Sequence, residues 1–280
     1  MNWSTTLQQP RSWLVAIGAG LITIHLTLTW RSDNIDVLGA SFLFWGAAAF
    51  LLWERSKHLN LQSDLFSSLV GLGILTIVLL KSISISEYDI FLRVSPFLSA
   101  FGLALLASGF KGLKQYWQEL LILSLISIST GLLLGIYDIT PVTAKFSALL
   151  LWYMGFPVQR DGVLVQLPTG SIEVYSGCSG YGTMIQILGI AILFLFMFPT
   201  SLKQKFLLPL IAITLGFVVN GIRVALMGLL VAYSSREAFE YWHYGDGSLV
   251  FSLLGVFIFG LICWFFILRT PPDKEDSQQC

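Results

Sequence analysis

The sequence predicts an all-α polytopic membrane protein, with about eight transmembrane helices and a small extracytoplasmic β-hairpin before the sixth. Three observations predict it. Of 280 residues, 55% are hydrophobic and only 11% are charged, whereas a soluble domain carries about 25% charged residues. Apolar runs near the roughly 20 residues needed to cross a bilayer recur along the chain, divided by short polar loops. Tryptophans stand at the ends of several runs (Trp13, Trp30, Trp53, Trp117), as interface anchors do. The formal net charge is zero, so nothing points to a nucleic-acid partner; membrane lipid is the expected surrounding.

In chain order, the expected spans are Ser12–Trp30, Ile35–Trp53, Leu65–Ile83, Phe91–Phe110, Trp117–Tyr137, Tyr181–Phe198, Phe206–Ala232 and Ser248–Leu268. Arg11 precedes the first run, which lacks a small-residue cleavage site and reads as a retained span, not a signal peptide. The whole chain, 1–280, reads as a single integral-membrane domain. It has a five-helix part over 1–137, an extracytoplasmic connection over 138–180, a three-helix part over 181–268 and a cytoplasmic tail over 269–280. With the N-terminus inside, nine Lys and Arg fall on the inner side and six on the outer, which favours both termini cytoplasmic.

The connection 138–180 opens with an apolar stretch, Thr143 to Phe156, too short to span easily. It suits an interfacial or re-entrant helix, or a packed piece of the bundle. The segment VQRDGVLVQLPTGSIEV follows. Val163, Val165 and Leu167 alternate, as do Ile172 and Val174, and Asp161-Gly162 and Pro168-Thr169-Gly170 are turn signals. They predict a hairpin leading into Cys178.

Cys178 lies among Ser176, Gly177, Ser179 and Gly180, where the polar segment gives way to the sixth span. Taken alone it reads as a small packing residue, as free cysteines usually are. The expected helix start would offer it unpaired N–H groups and a positive dipole end, which favour the thiolate. Cys263 lies within an apolar run and Cys280 ends a polar tail, so no disulfide framework and no metal-ligand spacing is visible. No cofactor is expected.

Topology brings other polar residues to the same face. Arg223 is roughly 25 Å along the seventh span, close to its outer end, and Asn220 lies one turn earlier on the same side. An arginine within a span costs about 2.5–3.5 kcal/mol on insertion scales and usually serves a purpose. His243 is expected in the outer loop SSREAFEYWHYGDG. Cysteine with histidine forms a nucleophile–base pair. The imidazole takes the thiol proton and the thiolate attacks a carbonyl. Arg223 and the backbone N–H groups after Cys178, around Ser179 and Gly180, can face the developing oxyanion. Asp246 or Glu240 can orient the histidine. His25, inside the first span, suits a helix–helix bond, and His58 an exposed loop.

Three motifs then carry a resemblance. YSGCSGYGTM resembles the cysteine motif of the exosortase/archaeosortase family, VVNGIRVALMG its Asn-x-x-Arg motif, and YWHYGDGSLVF its histidine motif before the last helix. In order and spacing they are similar to the cyanobacterial exosortase branch over about residues 140–268. The resemblance implies a multi-pass cysteine transpeptidase or protease of the bacterial inner (cytoplasmic) membrane. Its substrates would be exported proteins ending in a Pro-Glu-Pro-like motif, a transmembrane helix and basic residues. It also implies Cys178 as nucleophile, Arg223 as transition-state stabiliser and His243 as general acid/base. The chain departs from many members in two places: Tyr181-Gly182 follows Cys-Ser-Gly where they have Ile-Arg, and Tyr244 follows the histidine where they have Asp.

Two other classes compete. A small-solute transporter would spread ionisable residues through the depth of several spans, whereas here they gather at one face. A non-catalytic scaffold of exopolysaccharide or protein export would keep the fold without needing Cys178.

Overall fold

A computed structural model of the chain describes residues 10–32, 35–85, 89–245 and 247–268. The chain forms two compact units, 1–129 and 130–280. Among the described residues, seven helices are long and apolar enough to cross a membrane, or eight if one bent pair makes a single span.

The first unit holds α1 (Pro10–Arg31), α2 (Ile35–Arg55), α3 (Leu65–Ile83), α4 (Ile90–Gly112) and α5 (Trp117–Ser127), with a 3₁₀ turn at Leu113–Tyr116. α3 and α4 pack with glycine against glycine. A Cβ on Gly71 would lie 2.7 Å from the Gly102 carbonyl oxygen, so the backbones approach where only small residues fit. Asp64 caps α3, accepting from the Ser67 N–H at 3.0 Å. Pro96 lies inside α4 and cannot donate to the Leu92 carbonyl; the Ser95 hydroxyl does so instead, at 3.3 Å. His25 joins three helices, meeting Ser95 on α4 at 3.1 Å and Ser41 on α2 at 3.0 Å. It is the helix-linking histidine the sequence suggested, and His58 is exposed. Arg55 pairs with the buried Glu119 and ties α2 to α5.

The fifth expected span, Trp117–Tyr137, does not form as one helix. α5 stops at Ser127, Ile128 turns extended (ψ 108°), and α6 (Thr130–Ile136) starts afresh. The run Ser-Ile-Ser-Thr coincides with the break. Its hydroxyls compete for backbone groups, and Ser127 donates to the Arg93 carbonyl at 3.1 Å.

The second unit opens with α6 and α7 (Thr140–Tyr153), which meet at a 98° bend, the geometry of a broken span or a re-entrant loop. The sheet follows: β1 (Gln159–Asp161), β2 (Leu164–Leu167) and β3 (Gly170–Glu173), antiparallel in that order. The hairpin inferred from alternation is β2–β3, and β1 adds a third strand. Val165, Leu167 and Val174 are buried against Leu151 of α7 and against Val224 and Ala225, while Gln166, Ser171 and Glu173 face outward. Then come a 3₁₀ turn at Ser176–Cys178, α8 (Tyr181–Met197), α9 (Leu202–Tyr233), α10 (Arg236–His243) and α11 (Gly247–Cys263). α9 starts at a capping box, Ser201 with Gln204. It is the central element of this unit. Gly216 lets the α8 backbone approach, since a Cβ there would lie 2.7 Å from Met184 Cα. The Ser147 hydroxyl of α7 donates to the Gly221 carbonyl at 2.9 Å.

Candidate active site

Cys178 does not stand in the first turn of a helix. It ends the 3₁₀ turn, and α8 begins three residues later, after Gly180 turns the chain left-handed (φ 105°). The N–H groups of Cys178 and Ser179 are already taken by the carbonyls of Tyr175 at 2.9 Å and Ser176 at 3.3 Å. These two of the N–H groups expected to face the oxyanion are therefore spent on the turn.

α9 holds this turn in place. Asn220 donates from Nδ2 to the Cys178 carbonyl at 2.9 Å. Gly180 makes room for it, since a Cβ there would lie 3.0 Å from the same nitrogen. From α7, Thr143 donates its hydroxyl to the Ser179 carbonyl at 2.6 Å. Ser179 is fully buried, and its own hydroxyl has no partner among the described residues.

His243 is not in a loop. Ser235 caps α10 by accepting from the Ala238 N–H at 3.3 Å, and the histidine closes that helix. Its Nε2 stands 3.7 Å from Cys178 Sγ, a hydrogen-bond length for sulfur. Phe239 stacks on the imidazole with centroids 5.0 Å apart and planes 13° apart, and Tyr244 meets it edge-on at 4.1 Å. Arg223 donates from Nη2 to the His243 carbonyl at 3.0 Å. Its Nε has no partner among the described residues. Cys178 of the turn, Asn220 and Arg223 of α9, and His243 of α10 are thus joined side by side.

Burial first, and then the Arg223 charge, hold His243 below the usual histidine range. It is neutral near pH 7 and able to take a proton at Nε2. In that tautomer the ring hydrogen is on Nδ1, which has no partner among the described residues. Glu240 does not orient the ring, because its carboxylate pairs with Arg236 at 2.8 Å. Asp246 lies outside the described residues.

Tyr175 was not singled out from the sequence. Its phenol interacts with the Cys178 side chain, and its ring lies 6.3 Å from the imidazole. Burial, and then the nearby Cys178, push its hydroxyl up to about 12, so it remains a neutral donor. Proximity to Cys178 was the available signal. Thr143, on a separate helix 36 residues away from Ser179, offered none. Tyr181 opens α8 and donates its hydroxyl to the Tyr137 carbonyl at 2.8 Å, on the side of α6.

A groove of about 260 Å³ opens onto the sulfur, lined by β3, Tyr175, Cys178, α9 and α10. No group of three or more metal-ligating side chains occurs among the described residues.

Residues 8–260 match the transmembrane exosortase (EpsH) family, and the chain belongs to that family. No curated protein and no solved structure matches it.

Proposed function

We propose, from membership of the exosortase family, that this chain is a cysteine transpeptidase or protease using Cys178, His243 and Arg223 to cleave C-terminal sorting tails of exported proteins. Family membership implies a transpeptidase that processes Pro-Glu-Pro-type tails. The observation that carries the assignment to residues is the contact between Cys178 Sγ and His243 Nε2 at 3.7 Å. His243 removes the thiol proton, and the sulfur attacks the scissile carbonyl to form a tetrahedral oxyanion. The C–N bond then breaks, and the imidazolium returns the proton to the leaving amine, which leaves an acyl-thioester. Arg223 supplies the positive charge for the oxyanion, a contribution of about 10²–10³ in rate. Water or an amine then takes the acyl group. Asn220, Ser179 and Gly180 position the turn.

The site faces the extracytoplasmic side and both termini are cytoplasmic, a reading supported by the Lys and Arg distribution. A tail that is itself a membrane helix docks laterally against α8, α9 and α11. The resemblance of the three motifs taken together is the support for the cyanobacterial branch.

The test co-expresses the full chain with an exported reporter carrying a Pro-Glu-Pro tail, and reads the mature C-terminus by mass spectrometry. Cys178→Ala at unchanged protein level should abolish processing. A free carboxylate on the product means hydrolysis and an added group means transfer. Processing that persists in Cys178→Ala removes the assignment and favours a scaffold.

A further inference from the structure

We propose that the outer edge of β3 is the docking strand for the substrate polypeptide, an extended segment of which adds to the sheet as a fourth strand along Ser171 and Glu173. This rests on the reading of Cys178 as a nucleophile toward a polypeptide.

The strand order β1-β2-β3 leaves β3 at the edge. The Val174 N–H donates to the Val163 carbonyl at 3.0 Å, which sets the phase of the ladder. Hydrogen-bonded and non-bonded pairs alternate in an antiparallel ladder. Ile172, opposite Val165, and Gly170, opposite Leu167, therefore turn their backbone groups toward β2. Ser171 and Glu173 turn theirs away, leaving two N–H donors and two carbonyl acceptors along the outer edge.

That edge leads to the sulfur. Ser171, Glu173, Tyr175 and Cys178 belong to the wall of one groove. Open edges are commonly blunted with proline, lysine or a bulge. β3 has no proline, lysine or bulge and its register is unbroken, although it is only four residues long and carries the charge of Glu173. The facing wall is apolar where Met227 and Phe239 line it. An added strand would place alternate side chains there and keep the others toward solvent. His243 lines the same groove, so a strand laid along β3 runs past both members of the cysteine–histidine pair. A groove joining a free strand edge to a cysteine–histidine pair suits an extended polypeptide awaiting cleavage better than a second copy of the chain, which would block the sulfur.

The experiment uses the full chain in membranes with the Pro-Glu-Pro-tailed reporter. Proline fits an edge strand where its missing N–H would have faced outward, so Ser171→Pro and Glu173→Pro remove the donors and obstruct pairing while keeping the sheet. Processing should fall about tenfold or more, with alkylation of Cys178 by iodoacetamide retained. Ser171→Ala and Glu173→Ala, which keep the N–H, should lose less. Proline variants that process normally, or alanine variants that lose as much, overturn the proposal. The second measurement needs no turnover. In a Cys178→Ala background, Ser171→Cys or Glu173→Cys is crosslinked to single cysteines stepped along the reporter before its membrane helix. Strand pairing gives crosslinks at every second position; a uniform pattern or none overturns it. A wild-type chain that leaves the reporter uncut counts against the proposed activity, whereas the crosslinking pattern reports docking alone.

Discussion

Asn220 holds the backbone carbonyl of Cys178, its Nδ2 lying 2.9 Å from the oxygen. Both residues are buried. One turn further along α9, Arg223 holds the carbonyl of His243. A single helix therefore sets both partners of the cysteine–histidine pair through main-chain carbonyls, leaving the sulfur and the imidazole free to react.

Asn220→Ala strands a buried carbonyl, at a cost of about 1–3 kcal/mol. The Cys178 turn should loosen, with reporter processing down about tenfold and a lower melting temperature. Asn220→Asp should be worse than alanine, because it sets a carboxylate oxygen against a carbonyl oxygen. An alanine variant with wild-type processing would remove the positioning role.

Acid should switch the site off below the usual histidine range. The folded pKa of His243 lies below its ordinary value of 6.5. Between those two values the unfolded chain binds more protons than the folded one. The stability from burying neutral His243 is complete above 6.5 and is lost as pH falls toward the folded value. The acid limb of processing should therefore lie below pH 6.5. Arg223→Gln removes the second cause of the depression, so the limb should shift upward while the plateau rate drops by about 10²–10³. The pH profile of reporter processing across pH 5 to 8 checks both; a limb that stays in place denies the electrostatic coupling.

Tyr175→Phe keeps the ring beside His243 and removes the hydroxyl near the sulfur. A severalfold loss of processing is expected, consistent with one neutral hydrogen bond of about 1 kcal/mol. Tyr175→Ala should lose more, because it also opens the wall of the groove. Equal losses in the two variants would assign the whole effect to the ring.

Gly180→Ala should fail locally. At φ 105° a Cβ is strained, by about 1–2 kcal/mol, and it would press on the Asn220 amide at 3.0 Å. Processing should drop more than global stability, as read by thermal unfolding in detergent against Gly182→Ala, where a Cβ meets nothing within 4 Å. Similar behaviour of the two variants would place no demand on Gly180.

Most of the fold was legible because membrane crossing leaves a local signature. A span must be a continuous apolar run, so α8 (Tyr181–Met197) and α9 (Leu202–Tyr233) could be read almost to their ends. Alternation and turn residues likewise marked β2 and β3, because burial on one face repeats every second residue. The fifth run misled. Its hydropathy is continuous through Trp117–Tyr137, but the chain turns extended at Ile128, next to Ser127, whose hydroxyl bonds the Arg93 carbonyl on α4, a partner far away in sequence.

By itself, then, the sequence determined the membrane character, the hairpin, and the three motifs that bear Cys178, Arg223 and His243. Each of these is written in residues close together along the chain. Only the tertiary structure decided the contact between Cys178 and His243, separated by 65 residues, the placing of Cys178 in a 3₁₀ turn instead of a helix, and the use of Asn220 and Arg223 as clamps on carbonyls. It also brought in Thr143 and Tyr175. The physical reason is that a hydrogen bond between distant segments depends on how helices pack, and packing here turns on close approaches at Gly180 and Gly216 that no local pattern reveals.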